Sequence, residues 1–160
     1  MIKYEEIEQS LCDVLCPKDA DGNALNTLYS AEPLPDNEGD YKRLFTKPKV
    51  YLSYVGSDYG EDESTSCVIQ EETVTFEAII RAKTRKGTEG IFAVERDIRT
   101  KLLGYRLPVA QKKITFIKSG YIDGSTQNDW NYMMSFSFRT KAVDEQPEET
   151  GPLAKQIDLN

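Results

Sequence analysis

The 160-residue chain contains no histidine. That absence removes the commonest general base and metal-binding side chain, and with it every Ser/His/Asp or Cys/His nucleophile arrangement. Cysteine is scarce: Cys12, Cys16 and Cys67 are an odd number, which makes no disulfide framework and fits a reducing cytoplasm. A zinc site built on Cys12 and Cys16 lacks further ligands without an imidazole, so the expectation is buried thiols, no metal and no cofactor. No apolar run approaches the ~18–20 residues of a membrane span, and residues 1–20 carry acid where a signal peptide is apolar. The chain is therefore expected neither to enter a membrane nor to be exported.

Positive charge is also in deficit, with 20 basic against 27 acidic side chains and a net charge of −7. This argues against a generic nucleic-acid binder. The deficit is unevenly spread. Residues 1–72 carry 6 basic and 16 acidic side chains, residues 73–142 carry 13 and 6, and residues 143–160 carry 1 and 5. Such segregation is answered within the chain, by a second chain, or by solvent.

Spacing predicts the elements. Tyr4, Ile7, Leu11, Val14 and Leu15 mark a helix that Pro17 ends. Residues 17–48 hold four prolines and two glycines with little periodicity and read as a long loop. Within it DADGN mimics a calcium loop but fails: counting from Asp19, the sixth position is Ala24 instead of glycine and the twelfth is Ser30 instead of glutamate. Val50–Val55 and Val68–Arg85 read as strands, the second alternating cleanly from Val74 to Ala82. The polar stretch 56–66 between them makes an acidic hairpin tip. A second helix starts near Thr88 as N-cap, is lined by Ile91, Val94, Ile98 and Leu102 with Phe92 and Leu103 widening the face, and stops at Gly104. Its Arg96, Arg99 and Lys101 form no nucleic-acid ridge, because Glu95 and Asp97 stand four residues before Arg99 and Lys101. Strands over 112–122 and from Trp130 follow, joined by a turn through 123–129.

The expected fold is α+β: a mainly antiparallel four-stranded sheet with both helices packed on one face, in the order α-β-β-α-β-β. Residues 1–143 make one domain and residues 144–160 an acidic extended tail. Phe136 and Trp130 are expected to face the helices opposite Ile98 and Leu102. The chain shows no catalytic constellation.

From Val74 to Thr140 the sequence resembles a family of Mu-like phage tail-completion proteins assigned as tail terminators. The resemblance rests on TVTFEAIIRAKT, the helix end Ile98-Arg99-Thr100-Lys101-Leu102-Leu103-Gly104-Tyr105, Leu107-Pro108, Phe116-Ile117-Lys118-Ser119-Gly120, and Trp130, Tyr132, Phe136, Phe138 and Thr140. The helix at the N-terminus fits that family's opening; the 17–48 loop and the tail depart from it. The resemblance implies a structural protein of a phage or phage-like contractile injection machine. Its copies would form a homo-oligomeric ring, six-fold in related tails, that caps the tail tube and stops its polymerisation. Implied partners are the tube and sheath or neck proteins, and the implied location is the virion tail, assembled in the bacterial cytoplasm. A head–tail connector or neck component is the alternative within the same class. A carboxylate- or metal-dependent hydrolase using the 56–72 acids is the alternative from another.

The charge pattern adds an expectation about contacts. The tip acids Asp58, Glu61, Asp62 and Glu63, or the acidic tail, are expected near Arg81, Lys83, Arg85 and Lys86 of the next copy. Closure of the tail over its own basic strand end is the intramolecular alternative.

Overall fold

The computed structural model describes residues 2–122 and 129–144. Its apolar stripes fold as their spacing dictates. Helix α1 (Tyr4–Leu15) buries Ile7, Leu11, Cys12 and Leu15, and helix α3 (Ile91–Leu102) buries Ile91, Val94, Ile98 and Leu102. Both pack on one face of the sheet, against Val50, Leu52, Val74, Phe76, Ala78, Ile80, Met134, Phe136 and Phe138. Phe76 is at the centre, with its ring 6.3 Å from Phe136 and 6.0 Å from Phe138.

The sheet has five strands instead of four, in the order β1-β2-β3-β5-β4. The strands are β1 (Ser30–Pro33), β2 (Lys49–Asp62), β3 (Ile69–Ala82), β4 (Thr115–Tyr121) and β5 (Trp130–Val143). Every pairing is antiparallel except β1 with β2, which is parallel. The expected loop 17–48 therefore contains an edge strand and, beyond it, the one-turn helix α2 (Glu38–Tyr41). The element order is α-β-α-β-β-α-β-β. The DADGN stretch is the turn expected of it, with the Asp19 carboxylate accepting from the amides of Asp21 and Asn23 at 3.0 and 2.8 Å.

The segment after β1 crosses to the other face of the sheet, so the helices do not all share one face. Tyr41 lies against Tyr51 with ring centroids 5.1 Å apart. Arg81 lies between the Tyr41 and Phe45 rings, 5.0 and 4.7 Å from their centroids. Beyond this flap the same face is polar, with Thr73, Thr75, Glu77 and Ser137 turned outward, as an antiparallel sheet with one wetted side permits.

The two strands of the β2–β3 hairpin overrun the helices. The hairpin extends pairing to Asp62 and Gln70, so the connection at its tip is short and most of the expected polar loop is strand. Bulges interrupt β2 between Tyr54 and Gly56 and between Tyr59 and Asp62. At the first, the Tyr54 amide donates to the Glu8 carboxylate of α1 at 2.8 Å.

The N-terminus of α3 differs from the expected Thr88 cap. Gly90 is the cap residue and has no side chain to offer. Instead the first-turn amides of Ile91 and Phe92 donate to the carbonyls of Thr84 and Arg85 at 3.0 and 3.1 Å. A Cβ at Gly90 would come within 2.5 Å of the Lys86 carbonyl oxygen and 2.7 Å of the Arg85 backbone. Gly90→Ala is therefore expected to cost about 1–3 kcal/mol, the usual range for forcing atoms into a packed site, read as a lower midpoint in chemical denaturation. The other end follows expectation, with Gly104 at φ 81° just past the helix.

Of the three thiols, Cys12 is buried, Cys16 half-buried and Cys67 exposed. Burial first, then neighbouring carboxylates, push the Cys12 thiol up to about 12. Phe92, Leu103 and Trp130, expected in the core, are 39%, 52% and 41% exposed. Phe136 is fully buried as expected.

Candidate assembly surfaces

The sheet separates its charges along its length. β3 has 14 residues, about 45 Å at the rise of an antiparallel strand. The acidic tip lies at its start and the basic cluster at its end, so the two cannot meet within one chain.

At the tip end Asp58 and Glu61 are exposed and make no ion pair among the described residues. Glu63 pairs with Lys141 at 3.1 Å, and Glu71 with Arg139 at 3.4 Å. Asp62 does local structural work: its carboxylate accepts from the amides of Ile69 at 3.0 Å and Ser64 at 3.1 Å. Those two bonds, Ile69 first, lower its pKa below the ordinary carboxylate value. A depressed folded pKa stabilises above the unfolded value and is lost as pH falls through the lowered one. Protection of the Ile69 amide from hydrogen exchange is thus expected to persist at neutral pH and to fail only on acidification below the usual carboxylate range. Replacing Asp58, Glu61, Asp62 and Glu63 by their amides is expected to leave the melting temperature nearly unchanged, since all four are exposed. A large loss in a thermal melt would show that the tip is packed.

A groove of about 510 Å³ opens beside this arm, lined by Ile2, Tyr4, Tyr59, Glu72, Val109 and Val143 among others. Glu72 is 4% exposed and accepts hydrogen bonds from the hydroxyls of Tyr4 at 2.7 Å and Ser57 at 2.6 Å. Tyr4 stacks on Tyr54 at 3.7 Å. Burial first, and then its hydrogen-bonded neighbours, hold the Tyr4 hydroxyl well above its ordinary pKa. Tyr59, Val109 and Val143 leave about half their surface to solvent at the rim, at 55%, 49% and 50%.

The opposite end is basic and aromatic. The Arg85 guanidinium lies 5.6 Å from the Phe92 ring, 5.6 Å from Tyr121 and 5.4 Å from Trp130, and its Nε donates to the Tyr121 hydroxyl at 3.1 Å. It makes no ion pair among the described residues. Lys83 lies over Phe45, 5.1 Å from the ring centroid, and Lys86 is exposed.

Arg81 does not belong to this exposed set, contrary to its expected place there. It is 5% exposed and its guanidinium donates to the Asp129 carboxylate at 2.8 Å and to the carbonyls of Tyr41 and Arg43. Nothing of its charge is left for a second chain. Lys83, Arg85 and Lys86 are brought together at one end, and the four tip acids at the other. On α3 the two intrahelical pairs form: Glu95 with Arg99, and Asp97 with Lys101 at 3.0 Å. Asp97 also accepts from the buried Tyr29 hydroxyl at 2.7 Å.

No group of three Cys, Asp or Glu side chains among the described residues is arranged to hold a metal. No described helix is long and apolar enough to cross a membrane. The tail from residue 145 on and the turn at 123–128 lie outside the described residues.

Spacing missed the aromatic end. Phe92 is one position off the α3 stripe, which was the available sign that it faces outward. The Tyr121–Trp130 contact, 5.6 Å between ring centroids, follows from β4–β5 register and left no local signal.

Comparison with known proteins gives three findings. The model of a family described as Gp37 protein matches residues 26–160. That is not the Mu-like tail-terminator family suggested by residues 74–140, and its match takes in most of the 17–48 segment and the whole acidic tail. No curated protein matches. Among solved structures, a chain of the virion of a native gene transfer agent particle is 13% identical, with 72% of this chain and 80% of that one covered and a TM-score of 0.41. A likeness of that score carries no argument.

Proposed function

We propose, from the premise that this chain belongs to the Gp37 protein family, that it is a phage-type virion structural protein, and within that class a tail terminator. Family membership supports a structural role over the hydrolase alternative. The observation that carries the finer reading is the placement of two unlike surfaces at opposite ends of one sheet. A patch that cannot pair with itself joins copies head to tail, and a head-to-tail joint closes into a ring or grows without end. A ring on the end of a tail tube would halt its polymerisation and offer a platform to the neck. The working location is the virion tail, after assembly in the bacterial cytoplasm.

Mass in solution, measured across protein concentration, tests this. A species of six copies that blocks elongation of purified tail tube is the expected result. Larger rings without blocking would favour a head–tail connector. A monomer at every concentration would overturn the ring.

A further inference from the structure

We infer that the joint between copies is made by the Arg85–Trp130 end of one chain seated in the groove beside Tyr59 and Glu72 on the next. This deepens the ring reading and rests on it. The exposed aromatic cluster has the composition that dominates binding energy at protein interfaces, where Trp, Tyr and Arg are enriched. Phe92, Tyr121 and Trp130 hold the Arg85 side chain in place from three sides. Its stacked guanidinium is thereby ordered before any partner arrives, which lowers the entropy lost on binding.

The occupant of the groove is a second copy, and charge selects it. The hairpin arm beside the groove carries Asp58 and Glu61, exposed and without an ion pair among the described residues, whereas Glu63 and Glu71 are answered by Lys141 and Arg139. Lys83, Arg85 and Lys86 carry the complementary sign at the far end. The apolar rim of Tyr59, Val109 and Val143 offers the aromatic rings a surface to cover. The strand length between the ends keeps the hairpin tip from meeting the basic cluster of its own chain. A net charge of −7 per copy opposes random association, so the favourable contact is one that brings unlike ends together. The chain's own acidic tail is a poorer occupant. With 1 basic and 5 acidic side chains over residues 143–160 it carries the sign of the hairpin acids instead of the opposite one.

The experiment uses two variants of the full chain, Arg85→Glu with Trp130→Ala and Tyr59→Ala with Glu61→Gln, each checked for a native thermal melt. Native mass spectrometry then reads the assembly. Each variant alone is expected to be monomeric, its association weakened at least ~30-fold, as for loss of an interface hot spot. Mixed, they are expected to form one-to-one dimers and nothing larger, because each mixture keeps one live joint. A third chain ending at Asp144 is expected to assemble like the wild type.

A wild-type ring that either variant leaves intact would overturn this joint while sparing the ring. Loss of the ring on truncation at Asp144 would give the contact to the tail and overturn it too. A wild type that stays monomeric would overturn both this joint and the ring reading.

Discussion

Arg81→Met is expected to destabilise the protein by about 3–5 kcal/mol, the usual loss when one partner of a buried ion pair is removed. The size follows from what is left behind. Asp129 is 5% exposed, and without the guanidinium 2.8 Å away its carboxylate is buried and unanswered. The carbonyls of Tyr41 and Arg43 lose a donor as well, and the Tyr41 and Phe45 rings lose the cation packed between them. Adding Asp129→Leu should recover part of the loss, because two apolar groups tolerate the site better than one stranded charge. Chemical denaturation of the two single variants and the double variant measures this. If Arg81→Met alone is nearly neutral, the flap is not held by this side chain.

Phe136→Ala is expected to cost a similar amount, about 3–5 kcal/mol, by a different route. The ring is fully buried beneath the helices, 6.3 Å from Phe76 and 6.0 Å from Phe116, so truncation opens a cavity between rigid strands. Trp130→Ala, six residues earlier on the same face, should lose much less stability because Trp130 is 41% exposed. The contrast between the two melts separates a side chain that holds the fold from one available to a partner. Equal losses would mean that the aromatic end is part of the core.

The elements whose period is clearest in the sequence are those with one face turned to the core throughout. Ile7, Leu11 and Leu15 of α1 and Val74 to Ala82 of β3 show their period because their apolar side chains all meet the same core. The second half of β2, from Gly56 to Asp62, projects past the helices and is polar on both sides, so it carries no alternation and reads as loop. β1 has only four residues and is paired in parallel with β2, too short for a period to register. Arg81 reads as an outward charge among Thr73 and Glu77. Its burial depends on Tyr41 and Phe45, which chain topology brings over it from some forty residues away. Trp130 was assigned to the correct side of the strand, but the strand runs beyond its cover. Of the candidate surfaces, the charges were legible and the aromatic setting of Arg85 was not. A side chain's charge is local information, whereas a cage of three rings from α3, β4 and β5 is a product of folding.

The borders of the sheet decide which kinds of aggregate are open to the chain. An unpaired strand at either border offers a row of amides and carbonyls on which a foreign strand can grow, and extended borders of that sort seed fibrils. Here one border is β1, four residues ending at Pro33, which has no amide to give. The other is β4, seven residues whose pairing is broken at Phe116/Lys118 and which carries an exposed lysine there. Sideways addition of strands, which has no natural stopping point, is thus disfavoured on both borders of the described sheet. On the proposed ring reading, growth falls to the strand ends, where side chains instead of backbone would make the contact and the angle between successive copies would bring the last back to the first.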